Sequence, residues 1–526
     1  MKRVFLYLLI ALTALLAAAA YVEPRALWAF VILGPVLLLT AYDMLQKRHT
    51  ILRNYPLIGH VRYILEDARH HIRQYLIQGD KEGDPFTRPQ RAVVYQRAKN
   101  VSDVQPFGSL QDMYSEGHEW MQHSIAPVDI DDDDPRVVFG NEACTQPYNA
   151  SLLNISAMSF GSLSANAILA LNGGARQGGF AHDTGEGGLS EFHLAPGGDL
   201  IWEIGTGYFG CRTADGDFDP EQFRDKAAID QVRMLELKLS QGAKPGGGGI
   251  LPGAKVTPEI ARARGVPEGK SVHSPARHKV FSTPIEMMEF IQRMRELGGG
   301  KPVGFKLCIG RHSQFMALCK AMLETGIAPD FITIDGAEGG TGAAPVELTD
   351  RVGEPLREGL MFAHNALVGA GLRNRVRLIA CGKIINGYDM ASRMAIGADT
   401  VSSARGMMFA LGCIQARRCH ANTCPTGVAT QDPWRSSGLV VSDKTQRVAN
   451  FHHNTIKHLL KIQSACGIQH AADLNPGHLM RRVSPTLVNS YEDLFPWLEP
   501  NALAEGGDVP VMYARAWSQG NPTSFG

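Results

Sequence analysis

The chain carries no excess charge of either sign: Lys+Arg and Asp+Glu number 52 each over 526 residues. Nucleic-acid binding leaves a basic footprint, so no nucleic-acid partner is expected. Cysteine is scarce and odd in number, nine in all. That is a poor fit to a secreted disulfide framework and favours a reducing compartment. Paired CxxC-like ligands are missing, which removes the usual tetrahedral zinc site. A dinucleotide fingerprint is missing in substance, although 205-GTGYFG-210 matches its letters. That motif needs a helix to begin inside it, and here the chain runs on into the turn-forming 211-CRTADGDFDP-220. The acidic run 129-DIDDDDP-135 lacks the spaced ligands and bidentate Glu of a calcium loop, so it reads as a solvated loop.

Charge is absent from residues 4–21, VFLYLLIALTALLAAAAY, and again from 26-ALWAFVILGPVLLLTAY-42. Each run is near the lower length limit for a membrane-spanning helix. A signal peptide would explain the first run, since Lys2 and Arg3 precede it and Ala17–Ala20 follow. A hairpin explains both runs. Lys2 and Arg3 at one end and Lys47, Arg48 and His49 at the other then put both ends in the cytoplasm. The expected location is the inner (cytoplasmic) membrane, with the body of the chain in the cytosol. The expected organisation is a transmembrane hairpin over 1–45, a membrane-proximal region over 46–145, a barrel over 146–475 and a C-terminal tail over 476–526. Within the second region, 62-RYILEDARHHIRQYLIQ-78 has helical apolar spacing. Residues 452-HHNTIKH-458 read as one mixed-face helix, and 470–526 as a closing helix followed by an irregular tail.

From about residue 150, short apolar strands alternate with amphipathic helices. Strands are predicted at 152–156, 232–239, 302–308, 330–335, 376–381 and 399–404, with helices at 284–298, 313–326, 356–371, 387–396 and 405–412. Alternation at this spacing means parallel βα units. Nearly every strand end runs into a glycine-bearing loop, which suits a (β/α)8 TIM barrel better than a doubly wound sheet with one switch point.

Those loops hold the chemistry. In 335-DGAEGGTGAAP-345 the glycines, Gly340 among them, let backbone amides approach a phosphate or a flat ring. The loops 381-CGK-383 and 403-SARG-406 follow the next two strands, and Lys383 and Arg405 bring charge to a phosphate-bearing cofactor. In 237-LKLSQGAKPGGGGILPGAKV-256, Lys238, Lys244 and Lys255, with Arg262 and Arg264 soon after, suit an anionic substrate. Lys238 alternates inside an apolar strand, which surface lysines do not do. Glu186 sits among glycines in 182-HDTGEGGLSEFH-193, where an acid has little reason to be unless it orients something. Cys413, Cys419 and Cys424 lie six and five residues apart in 412-GCIQARRCHANTCPTG-427. Spacing alone leaves open both a three-iron cluster and three buried structural cysteines.

Over roughly residues 145–470 the sequence resembles the FMN-binding domain of the glutamate synthase large subunit, closest to stand-alone, membrane-anchored relatives. The carriers are ISAMSFGSLS (155–164), DTGEGG (183–188), KLSQGAKPG (238–246), LPGAKV (251–256), GGTGAAP (339–345) and GCIQARRCHANTCPTGVATQ (412–431). The resemblance implies a (β/α)8 barrel holding FMN, with Cys413, Cys419 and Cys424 binding a [3Fe-4S] cluster. It implies that Lys238 and Arg264 hold the carboxylates of 2-oxoglutarate, that Lys244 lies against the pyrimidine side of the flavin, and that Glu186 is the acid of the active-site loop. Ala157, Met158, Ser159, Gly340, Thr341, Gly382, Lys383, Arg405 and Gly406 would hold the ring and phosphate. The implied partners are a 2-oxo acid, ammonia or an amine, and an electron-donor protein such as a ferredoxin or reductase subunit. Three places depart from the family pattern: Ile250 stands where Gln is usual, Gly247 where Glu is usual, and Ala380-Cys381-Gly382 where Asp-Gly-Gly is usual.

Overall fold

The computed structural model describes residues 2–79 and 81–526, in two compact units that meet in sequence at Arg88 and Pro89. In the first unit, α1 (Lys2–Val22) and α2 (Phe30–Leu45) are joined by a 3-10 turn, Pro24–Ala29. Glu23 caps that turn by accepting from the Arg25 amide. Pro24–Leu45 is long and apolar enough to cross a membrane, whereas the apolar stretch Leu9–Val22 of α1 is shorter. The helix α3 (Ile58–Ile72) begins four residues earlier than its apolar spacing predicts and ends in one wider turn, Arg73–Ile77.

The second unit is built on a closed parallel barrel of eight strands. In chain order they are β1 (Leu153–Ile155), β2 (His182–Asp183), β3 (Leu200–Ile204), β4 (Val232–Lys238), β5 (Val303–Leu307), β6 (Phe331–Asp335), β7 (Arg377–Cys381) and β8 (Thr400–Ser403). Each pairs with the next, and β8 closes on β1 through Val401 opposite Leu153. Six of the eight coincide with the predicted strands. The missing two have physical reasons. Two residues cannot show a period, which hides β2. All five residues of β3 are buried, so 200-LIWEI-204 shows no alternation and merges with the false fingerprint behind it.

The barrel interior is layered. At its floor Ile201, Met234, Phe331 and Ile379 pack with Phe139, Tyr148 and Ala150. The last three come from an antiparallel pair, Arg136–Phe139 with Tyr148–Ser151, that plugs the end away from the strand C-termini. Above this apolar floor the inward-facing residues become charged, as described below.

Helices surround the strands where the periodicity predicts them: α5 (Pro284–Leu297), α6 (His312–Thr325), α7 (Leu356–Gly369), α8 (Gly387–Ala395) and α9 (Arg405–Leu411). The α4 helix (Ala165–Gly178), which the sequence reading did not assign, starts at an Ser164 cap and ends at left-handed Gly179. It packs on the long α10 (Val441–Cys466), which contains the mixed-face histidine segment. A Cβ on Gly174 would stand 2.5 Å from Val448 Cγ1, so the close approach of these helices requires glycine there. The region after residue 470 is more regular than predicted. Leu479–Ser484 pairs with both Glu119–Met121 and Leu487–Ser490, and the last helix falls at Val511–Gln519. Backbone ladders that join segments 360 positions apart leave no local signal.

Candidate active site

A cleft opens at the C-terminal ends of the strands, enclosing about 680 Å³ of space, its open mouth included. Its walls bring together Ala157, Met158 and Ser159 after β1, Glu186 after β2, Lys238 at the end of β4, Gly340 and Thr341 after β6, and Arg405 after β8. Cys419 also lines it. An adjoining cleft shares Glu186, Lys238 and Gln241 and adds Lys244 and Gly247. A roomier cavity of about 1200 Å³, its open mouth likewise included, lies along α10 beside Asp133 and Asp134 and contains none of the predicted site residues.

Lys238 is the hub. Its side chain is buried, with Nζ donating to Gln241 Oε1 at 2.9 Å and standing 3.3 Å from Glu186 Oε2 and 3.5 Å from Glu203 Oε1. Burial opposes its charge, but Glu186 and Glu203 outweigh that and hold its pKa above the usual lysine range. His278 fixes the main chain here. Burial drives its pKa down to about 4, so the ring is neutral at pH 7, and Nε2 donates to the Lys238 carbonyl at 2.8 Å. Arg264 closes the short helix Pro258–Arg264. Its Nη2 donates to the Phe160 carbonyl at 3.3 Å, its guanidinium lies 5.1 Å from the Phe209 ring centroid, and Nε has no protein partner. Burial lowers its pKa to about 10, which leaves it charged at neutral pH. Lys244 is also lowered by burial and feels Glu186 next.

Beneath Lys238 lies a buried charged layer that the sequence reading missed. Asp183, Glu203 and Glu236 bring carboxylate oxygens within 4.8 Å of one another, the one such trio of ligand atoms among the described residues. Lys306 Nζ sits 3.1 Å from Glu203 Oε2, so an ammonium group balances that member of the trio. Burial raises Glu236 to about 7 and holds Asp183 well above the carboxylate range, with Glu203 adding to both effects. Lys238 and Lys306 overcome burial at Glu203 and keep it below that range. Glu236 keeps its proton below about pH 7 and Lys306 balances Glu203, which lessens the layer's net charge. Its signal was available: Glu203, Glu236 and Lys306 alternate with apolar neighbours within their strands, as Lys238 does.

The remaining predicted residues are distributed as follows. Gly382 (φ 147°) and Lys383 (φ 51°) turn the chain at the end of β7. Gly406 lies in the first turn of α9, where a Cβ would meet Ser403 Oγ at 2.5 Å. None of the three is among the cleft's wall residues. Arg405 Nη2 reaches the Thr341 carbonyl at 3.4 Å and thereby ties the loops after β6 and β8 together. Ile250 is 64% exposed, on a two-stranded ribbon. Cys413 and Cys424 are buried and Cys419 is half-buried. The Lys255 ammonium donates to the Cys419 carbonyl at 2.9 Å and is electrostatically coupled to the Cys419 and Cys424 sulfurs. Between the first and last cysteine, Gln415, Arg417 and Asn422 all have left-handed backbones, a density of strained non-glycine residues typical of functional loops.

The conserved-region model of glutamate synthase matches residues 93–469. The chain belongs to the glutamate synthase family. It is a glutamate synthase-like oxidoreductase, of the class acting on a CH–NH2 group. It is 40% identical over 481 residues to the glutamate synthase large subunit-like protein YerD of Bacillus subtilis (strain 168), covering 84% of this chain and 91% of that one. The archaeal glutamate synthase (NADPH) of Methanocaldococcus jannaschii is 34% identical over 315 residues, 60% of this chain and 58% of that one. The glutamate synthase (NADPH) large chain of B. subtilis is 34% identical over 287 residues, 53% of this chain but 18% of that one. Among solved structures, a flavocytochrome b2 with pyruvate bound overlaps 85% of this chain and 98% of its own at 12% identity and a TM-score of 0.43.

FMN, the cofactor that membership implies, fits the cleft. Ala157, Met158, Leu163, Met408 and Ala429 supply apolar walls, and Arg405 supplies a cation. A Cβ on Gly340 would come within 3.0 Å of Arg405 Nη2, so the glycine leaves room for that side chain. Such a pocket, largely apolar with a few placed polar groups, is what a flat cofactor requires.

Proposed function

We propose that this protein reduces 2-iminoglutarate, formed from 2-oxoglutarate and ammonia or an amine, to glutamate. The carrying observation is the charge inventory around Glu186. Lys238, Lys244 and Arg264 are each coupled electrostatically to that one carboxylate. Three cations against one acid leave an excess of two positive charges, the complement of a dicarboxylate. FMN supplies the two-electron redox chemistry when bound. The residues of this chain do the rest: Lys238 and Arg264 bind the substrate carboxylates, Glu186 orients Lys238, Lys244 stabilises negative charge on the flavin's pyrimidine side, and the walls exclude water.

Cys413, Cys419 and Cys424 are read as ligands of a [3Fe-4S] cluster. Support comes from the strained loop that carries them and from the position of Cys419 on the cleft wall. The cluster would pass electrons from a ferredoxin-like or reductase partner. Residues 1–45 are read as an inner-membrane hairpin that keeps the catalytic unit in the cytoplasm. Support is the apolar helix Pro24–Leu45 and the cations at both ends of the paired runs.

The test is anaerobic. The protein is purified in detergent, characterised by visible and electron paramagnetic resonance spectra, reduced with dithionite and mixed with 2-oxoglutarate and ammonium. Flavin reoxidation with glutamate formed is expected. Stable reduced flavin under these conditions, but flavin reduction by an amino or hydroxy acid, would instead assign a dehydrogenase that delivers electrons to membrane quinone.

A further inference from the structure

The helix α3 is amphipathic in an inverted sense. At helical periodicity Ile58, Val61, Ile64, Leu65, Ala68 and Ile72 fall within an arc of about 120°. Instead of packing inward, this apolar arc faces out: Ile64 is 64% exposed and Leu65 52%. What the helix turns inward is Gly59, where a Cβ would stand 2.8 Å from Leu52 Cδ2, with His60, Tyr63 and His70 half-buried on that side. On the face that α3 shows outward, Arg62, Arg69 and Arg73 lie along one rim of the apolar arc. Glu66 sits beside that rim, where Arg62 reaches it at 2.8 Å, and Asp67 lies farther round the helix.

The position of this face is also determined. Asp43, buried near the end of α2, accepts from the Leu57 amide at 2.9 Å and bonds His60 Nε2 at 2.9 Å. The start of α3 is thereby tied to the end of the apolar helix Pro24–Leu45. Lys47, Arg48 and Arg53 fall in the connection. An exposed apolar arc rimmed by arginines, bonded to the end of a helix long enough to span a bilayer, is the pattern of a helix lying in a lipid–water interface.

We propose that α3 lies on an anionic phospholipid surface, with Ile58, Val61, Ile64 and Leu65 among the acyl chains and Arg62, Arg69 and Arg73 at the headgroup phosphates. This deepens the hairpin reading, on which it rests. It makes α3 a second anchor that sets the height and orientation of the membrane-proximal segment.

The full chain is reconstituted into vesicles of phosphatidylethanolamine and phosphatidylglycerol, with p-benzoylphenylalanine replacing Ile64, Leu65 or, on the opposite face, His70. After photolysis, phospholipid adducts are measured by mass spectrometry, and resistance to alkaline carbonate is assayed in parallel. The expected result is roughly tenfold more phospholipid adduct from positions 64 and 65 than from 70, with yield falling when phosphatidylglycerol is omitted. Protein–protein adducts at 64 and 65 in place of lipid would assign the face to a second copy and overturn the proposal. Equal yields at 64 and 70 would overturn it as well. Carbonate resistance reports the hairpin alone: resistant protein without lipid adducts at 64 sinks α3 only. Stripped protein that had formed those adducts sinks the hairpin and keeps α3 as a surface anchor.

Discussion

Glu203 holds two buried ammonium groups, Lys238 on the substrate side and Lys306 beneath. Glu203→Gln keeps the shape and removes the charge that both lysines share. A buried charge stripped of its counterion costs about 3–5 kcal/mol, so urea unfolding of the variant is expected to show a loss of that order. Adding Lys306→Met should recover most of it, a coupling that a double-mutant cycle measures. A loss below about 0.5 kcal/mol, the range of an ordinary surface substitution, would mean that Glu203 does not balance the two lysines. Lys238→Ala addresses the site itself: 2-oxoglutarate turnover is expected to disappear while the flavin spectrum is retained, and unchanged turnover would remove the substrate assignment. Lys238, Arg264, Glu186 and the cysteines stand out in the sequence because charged or reactive groups sit where glycine or apolar residues surround them. Glu203 and Lys306 carry the same signal as Lys238, a charge between apolar neighbours in a strand, but the pairing that gives it meaning spans 103 positions; His278, 40 positions from the Lys238 carbonyl it bonds, carries no such signal.

At the scale of elements, the loops matter more than the strands that present them. The loop after β4 touches the loop after β6 so closely that a Cβ on Gly242 would meet the Gly336 carbonyl oxygen at 1.8 Å, and the Gly242 amide donates to Asp335 Oδ2 at 3.0 Å. A backbone atom cannot swing away as a side chain can. Gly242→Ala is therefore expected to destabilise by about 1–3 kcal/mol and to weaken flavin retention, checked by thermal unfolding and by flavin content after gel filtration. Full stability and full flavin would show that the two loops separate readily. The six predicted strands emerged as short apolar runs ending in glycine-bearing loops, and the five helices from the period of their apolar residues. The strands β2 and β3 and the C-terminal ladder escaped because their burial is set by distant segments.

For the whole molecule, the charged layer inside the barrel links stability to pH. Glu236 has a folded pKa of about 7, raised by burial from 4.5. Between those values the folded state binds more protons than the unfolded chain, so this group's contribution to stability falls as pH rises from about 4.5 to 7 and is level above. Denaturant unfolding at pH 5 and pH 7.5 should show a smaller decline for Glu236→Gln than for the parent chain, and equal declines would show that Glu236 keeps no proton. Removing FMN should lower the melting temperature, with recovery on adding it back, since a ligand bound only to the native state stabilises it by mass action. No recovery on titrating FMN would dissociate the cleft from that cofactor.

The sequence by itself determined the class of fold, the loops that carry the chemistry and most of the residues in them. Those properties are local: a strand's period, a glycine that allows close approach, a cation where apolar residues are expected. Only the tertiary structure decided that Glu186 faces three cations, that the barrel floor is plugged by the 136–151 hairpin, that a charged layer underlies Lys238, and that α3 turns its apolar side outward. Each of these depends on which side chains meet across the closed sheet or between packed helices, and contact between distant segments is fixed by the burial of the whole chain.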